Sequence, residues 1–210
     1  MVRNGPLGVS FSTPGLAAAI PRRPFLFADS EWQCYNEKAS QRRAAMKDRD
    51  SIQIGQVQGV NWIRLIGKGT YTHSACFHEI VEEFFQQHSR QVVVDLTRCS
   101  YLDSTFLGCL VRLFRQYHTP PGKRFVIVAT EQKQVQLFAS SQLQRFLIFD
   151  NAHAADTNSW DEVEIMWTDA RTLGRHVMQC HRTIGELNIP DADKFARIAE
   201  HLAAELPPEA

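Results

Sequence analysis

Residues 92–108 read Val92-Val93-Val94-Asp95-Leu96-Thr97-Arg98-Cys99-Ser100-Tyr101-Leu102-Asp103-Ser104-Thr105-Phe106-Leu107-Gly108, and the fold turns on them. A continuous β-branched run, Val92 to Val94, marks a strand covered on both faces. The strand ends in Asp95-Leu96, a loop follows, and Asp103-Ser104-Thr105 opens an apolar helix over Phe106 to Tyr117. This order puts hydroxyls at a helix N-terminus on the carboxyl edge of a sheet. Free backbone N–H groups and the helix dipole favour an anion there. The plain alternative is that Asp103 or Ser104 is only an N-cap, worth about 1 kcal/mol.

Working outward, Ile52 to Val57 and Trp62 to Ile66 read as two strands joined in a hairpin at Gln58-Gly59. Thr72 to Gln87 reads as a helix, with Phe77, Val81, Phe84 and Phe85 on one face and Glu79, Glu82, Glu83 and Gln86 off it. Downstream, Thr119-Pro120-Pro121-Gly122 ends the apolar helix. Phe125 to Val128 is a further buried strand, Glu131 to Ser140 a short helix, and Phe146 to Phe149 a last strand. Strands alternating with helices imply an α/β fold with a mostly parallel sheet of about five strands. The first strand is free to run antiparallel.

The tail reads as helical. Ser159-Trp160-Asp161-Glu162 has capping-box spacing, although alternation at Val163, Ile165 and Trp167 fits a strand as well. Leu173, Val177, Cys180, Ile184 and Leu187 form one apolar seam, Asn188-Ile189-Pro190 breaks the helix, and Asp191 caps the next. That helix carries Phe195, Ile198, Ala199, Leu202 and Leu206 on its face. Such a hairpin must pack on its own domain or on a partner chain, a homodimer among the candidates. The expected division is therefore a flexible leader over 1–49, a domain over 50–155 and a helical extension over 156–210. Met46 is a candidate start, which would leave the leader outside the native chain.

The 210 residues are 44% hydrophobic and 22% charged, which suits a globular chain rather than a disordered one. Lys plus Arg and Asp plus Glu number 23 each, so no basic excess speaks for direct nucleic-acid binding. The neutrality is a sum of unlike parts: eight basic and four acidic residues in 1–49, ten and eight in 50–150, five and eleven in 151–210. The five cysteines, at 34, 76, 99, 109 and 180, lack C-x-x-C spacing. They read as reduced thiols in a cytoplasmic protein. No apolar run is long enough to insert in a membrane.

The stretch from Val92 to Gly108 resembles the central motif of STAS domains, the fold of anti-sigma factor antagonists and of sulphate-transporter tails. That motif is a strand, an aspartate-leucine pair, then Asp-Ser-(Ser/Thr)-Gly-Leu-Gly opening a helix. Asp103, Ser104, Thr105, Leu107 and Gly108 match, and Phe106 replaces the first glycine. Ile63-Arg64-Leu65-Ile66-Gly67 resembles the family's second strand, and Leu137-Phe138 with Ser141-Gln142-Leu143 its Leu-Phe…Ser-Gly-Leu helix end.

The resemblance implies a non-enzymatic regulatory module with no cofactor. It implies that Ser104 is phosphorylated by an anti-sigma factor that is also a serine kinase, and reset by a serine phosphatase. Asp103, Ser104, Thr105, Phe106, Gly108 and Lys68 are the expected partner-binding residues, with Thr105 a competing acceptor. The alternative is the cytoplasmic STAS subunit of a membrane lipid transporter, docking its ATPase.

Other chemistry is weaker. Gly67-Lys68-Gly69-Thr70 lacks the G-x-x-x-x-G-K-[ST] spacing of a phosphate loop and reads as a turn. His73, Cys76 and His78, or His176 with Cys180, offer incomplete metal-ligand sets and read as core or solvated histidines. Ser104 lacks a G-x-S-x-G elbow, so no catalytic residue is assigned.

Overall fold

Left-handed backbone at Gln58 (φ 50°) and Gly59 (φ 79°) reverses the chain between β1 (Ser51–Val57) and β2 (Val60–Gly69). Positive φ at both residues of a two-residue loop matches the twist of the strands it joins. Ser51 lies opposite Ile66 and Val57 opposite Val60. The computed structural model describes residues 50–118, 121–139, 141–150, 160–165 and 169–206. The expected leader, Met46 and the boundary at 155 lie outside the described residues.

After the hairpin come α1 (Tyr71–Gln86), β3 (Gln91–Asp95), β4 (Cys99–Leu102), α2 (Ser104–His118), β5 (Arg124–Val128) and α3 (Glu131–Phe138). β6 (Phe149–Asp150), β7 (Asp161–Glu162), α4 (Ala170–Gly185) and α5 (Ala192–Glu205) complete the described elements. The sheet order is β6-β5-β3-β2-β1-β7. β2, β3, β5 and β6 run parallel, while β1 is antiparallel to both β2 and β7. The sheet is therefore mixed, with the expected parallel strands at its centre. β4 extends it, pairing parallel with β2 beyond an irregularity between Gly67 and Lys68.

Ile63 and Leu65 of β2, Val92 and Val94 of β3, and Phe125 and Ile127 of β5 are fully buried. They meet Phe77 and Val81 of α1 and Phe106, Leu110 and Leu113 of α2 in one core. Burying each such side chain stabilises the fold by about 1.5–3 kcal/mol. Asp95, at the end of β3, is a carboxylate with no exposure. It is tolerated because Arg64 Nε lies 2.7 Å away and Thr97 donates its N–H and hydroxyl at 2.9 and 2.6 Å. The aspartate of the Asp-Leu pair is thus a structural anchor that fixes the turn out of β3.

Three expectations need correction. The loop expected after Leu96 contains β4, whose ends are buried and whose middle is exposed. The strand expected over Phe146 to Phe149 is instead a 3-10 turn over Leu143–Phe146, and only Phe149–Asp150 pairs with β5. The turn wins because Gln142 enters left-handed backbone (φ 53°) and drives Leu143 into the core. Around 161 the helical reading fails, because Asp161 and Glu162 pair with Ile54 and Gln53 as a two-residue strand, while Val163 and Ile165 of the expected alternation lie just beyond it. Ser159 of the capping-box spacing lies outside the described residues, as do 166–168.

The tail helices are real and lie against the domain. Asp169 caps α4, its carboxylate accepting from Arg171 N and Thr172 N at 3.0 Å each. Hydrogen bonds from Thr172 hold that carboxyl below its usual range. Cys180, Ile184 and Leu187 of the expected seam are buried, Leu173 and Val177 half-buried. Asp191 occupies the N-cap of α5 but caps nothing with its side chain; the carboxylate pairs with Lys194 at 2.7 Å.

Candidate functional site

The N-terminus of α2 is fixed by one carboxylate. Asp103 Oδ1 accepts from Phe106 N at 2.8 Å, which makes Asp103 the N-cap. Its Oδ2 accepts from Tyr71 N at 2.6 Å, so the same side chain also caps the start of α1. The Asp103 backbone N–H donates to Gly69 O at 3.0 Å, tying the motif to the end of β2. The N-cap alternative for Asp103 is therefore correct, and the Ser104 hydroxyl, one residue further on, is not spent on capping.

Ser104 Oγ lies 3.0 Å from His181 Nε2 on α4. His181 Nδ1 lies 2.9 Å from Val177 O. A carbonyl oxygen only accepts, so Nδ1 carries the ring proton and a neutral ring leaves Nε2 as the acceptor of the Ser104 O–H. His181 is buried, whereas Ser104 is half-buried and lines a cleft of about 360 Å³. Tyr101 and Gln142 belong to its domain-side wall, and Pro190 and Phe195 to the wall formed by the C-terminal hairpin.

The remaining expected site residues divide between surface and interior. Lys68 is exposed on β2, in register with the exposed Tyr101 of β4, and its N–H donates to Asp50 Oδ1 at 2.8 Å. Thr105 is 4% exposed and Phe106 fully buried, its ring tilted against Phe77 with centroids 5.0 Å apart. Gly108 faces α4: a Cβ there would meet the Cys180 carbonyl, 2.8 Å from its carbon and 3.0 Å from the Cys180 Cβ. Asp103, Ser104 and Lys68 thus share an accessible edge, while Thr105, Phe106 and Gly108 hold α2 in place beneath it.

Gly108→Ala is expected to push α4 off α2. Backbone rather than a flexible side chain blocks the new methyl, so a loss of about 1–3 kcal/mol is expected. Denaturant unfolding measures that loss, and hydrogen exchange should show faster exchange confined to residues 170–205.

His181 was not legible as a site residue. Its partner is 77 positions away, and its only local signal is adjacency to seam residue Cys180. Among the neighbouring groups, burial lowers the His73 pKa against the opposing charges of Asp50 and Asp103. His73 Nδ1 meets Thr70 Oγ1 at 2.8 Å. His73 and Cys76 enter no metal-ligand cluster among the described residues.

Residues 53–148 match a family model described as "Mlab, STAS domain". Among solved structures, the chain is similar to an anti-sigma factor antagonist from Mycobacterium paratuberculosis at 14% identity. That match covers 50% of this chain and 88% of that one, with a TM-score of 0.41. It is also similar to the anti-sigma factor antagonist SpoIIAA in its unphosphorylated form, at 17% identity over 49% and 90% of the two chains, TM-score 0.40. The phosphorylated form of SpoIIAA, a Bacillus cell fate determinant, matches at 17% identity over 48% and 92%, TM-score 0.37. No curated protein is a significant match to the sequence.

Proposed function

Residues 53–148 are a STAS domain, and we propose that the chain is a regulatory protein-binding module of the anti-sigma factor antagonist kind, switched by phosphorylation of Ser104. The observation that carries this reading is the contrast between neighbours at the start of α2. Ser104 offers its hydroxyl at a solvent-open cleft, while the Thr105 side is closed at 4% exposure. The partner is an anti-sigma factor with serine kinase activity, and a serine phosphatase resets the cycle. Nothing in this role requires the protein to catalyse a reaction.

Phosphate adds about −1.5 to −2 charges at neutral pH. A helix N-terminus accommodates such charge, so the fold survives modification. The hydroxyl, however, loses the proton it donates to His181, and the new charge stands beside Asp103 at the accessible edge. A partner surface fitted to a neutral hydroxyl next to one carboxylate then meets two anions. The readout is lost affinity rather than unfolding.

Mass-spectrometric site mapping tests this. After incubation with the serine-kinase partner and MgATP, phosphate is expected on Ser104, absent from Thr105, and abolished by Ser104→Ala. Incorporation that persists in Ser104→Ala would sink the assignment. Capture of a transporter ATPase, equally by wild type and Ser104→Asp, would move the reading to the STAS subunit of a lipid transporter.

A further inference from the structure

One residue beyond Gly108, where α4 comes closest to α2, three buried side chains converge. The ligand atoms of Cys109, His176 and Cys180 lie within 4.8 Å of one another. Cys109 and Cys180 have no exposure, and His176 has 8%. His176 and Cys180 sit four residues apart on one face of α4, and Cys109 comes from α2 across the interface. The first two were visible in the sequence as an incomplete set; the third donor is supplied by the packing of α4 on α2.

One ligand separation has the value that a tetrahedral site requires. Zinc–sulfur and zinc–nitrogen bonds of about 2.3 and 2.05 Å at tetrahedral angles put sulfur and nitrogen about 3.6 Å apart. Cys180 Sγ and His176 Nε2 are 3.5 Å apart.

The polar atoms of the triad meet one another and Ser74. His176 Nε2 is shared between Cys180 Sγ and Ser74 Oγ, the latter at 2.9 Å. The Cys109 thiol donates to the Ser74 carbonyl at 3.6 Å. His78 on α1 stands edge-on to His176 with ring centroids 5.6 Å apart. It is 8% exposed, and its Nε2 is buried without a hydrogen-bond partner among the described residues. Buried polar atoms are ordinarily paired, so this orphan nitrogen next to the His176 ring marks an unusual polar pocket at the edge of the triad.

We propose that Cys109, His176 and Cys180 bind a zinc-type divalent cation through their three side chains. Soft thiolates and neutral imidazoles select such an ion over calcium or magnesium. Each cysteine gives its thiol proton to solvent on binding. Two thiolates then balance the two charges of the ion, so the loaded site is neutral, as an apolar interior demands. The ion joins α4 to α2, and so fixes His181, the neighbour of Cys180, over Ser104. Loading with the ion therefore controls how firmly the hairpin covers the switch hydroxyl.

The test uses the full chain, its metal content by plasma mass spectrometry and its absorption spectrum with Co²⁺ in place of Zn²⁺. One equivalent of Zn²⁺ per chain is expected. With Co²⁺, a thiolate charge-transfer band and the intense visible bands of a tetrahedral site should appear, and Zn²⁺ should displace both. Cys180→Ser should abolish stoichiometric binding, and Cys76→Ser should leave it unchanged. His176→Gln should weaken it by well over the roughly tenfold loss that removing even an outer-sphere partner causes. Wild-type protein that is folded by circular dichroism yet gives no cobalt–thiolate band overturns the proposal without recourse to any variant. So does a Cys109–Cys180 disulfide found in the native chain, or a band that persists in Cys180→Ser. Undiminished affinity in His176→Gln likewise overturns it.

Discussion

Ser104→Asp is expected to weaken binding of the proposed anti-sigma partner by about 100-fold or more, because like charges brought together at an interface cost several kcal/mol. Ser104→Ala, which removes only the hydroxyl, should stay within a few-fold of wild type. The asymmetry follows from the local geometry. The Asp103 carboxylate is fixed by hydrogen bonds from Phe106 N and Tyr71 N and cannot swing away from a new neighbour. A second carboxylate at 104 therefore adds charge at a defined place on the exposed edge.

Titration calorimetry at two ionic strengths separates charge from shape. Repulsion at a partly exposed site is screened by salt, so the Ser104→Asp defect should shrink as salt rises, whereas a steric defect would not. His181→Ala provides the second control. It deletes the acceptor of the Ser104 hydroxyl without adding charge, and should leave partner affinity close to that of Ser104→Ala. Equal affinity of wild type and Ser104→Asp at low salt would end the case for a phosphorylation switch.

The parts of this architecture that were legible in the sequence are those fixed by local pattern. Phe77, Val81, Phe84 and Phe85 specify the buried face of α1, and the valine run and Phe125 to Val128 specify the two central parallel strands. Gln58-Gly59 specifies the hairpin because a two-residue turn needs positive φ there. β4 was hidden because its burial runs in, out, out, in rather than alternating, and it pairs with β2 only past an irregularity. The motif itself told of Asp103 and Ser104 correctly as a helix start. It gave no sign that His181 would meet Ser104 or that Cys109 would join Cys180, since both depend on how a helix 70 or so residues away packs against α2.

Phe106 is the place where the motif and the structure inform each other most. STAS motifs carry glycine at this position, and an aromatic side chain there would alter the approach of a kinase if it pointed outward. It points inward: the ring has no exposure and packs on Phe77. The chain makes room for it at Gly69, where an added Cβ would sit 3.0 Å from the Phe106 ring and 2.7 Å from both Leu65 and Leu102. Phe106→Ala should therefore destabilise the domain by about 3–5 kcal/mol, the loss seen when a fully buried phenylalanine is truncated. For a chain of this size the melting temperature should fall by roughly 10 °C.

The Phe106 N–H that Asp103 caps survives in the alanine variant, so the start of α2 keeps its geometry. Below its lowered melting temperature, Phe106→Ala should accept phosphate at Ser104 and bind its partner as wild type does. Thermal melting and partner affinity measured on the same sample distinguish the two roles. Stability within about 0.5 kcal/mol of wild type, as for a surface change, together with lost capture, would make Phe106 a contact residue. Lost stability with capture retained would make it the packing residue that lets this sequence dispense with the motif's glycine.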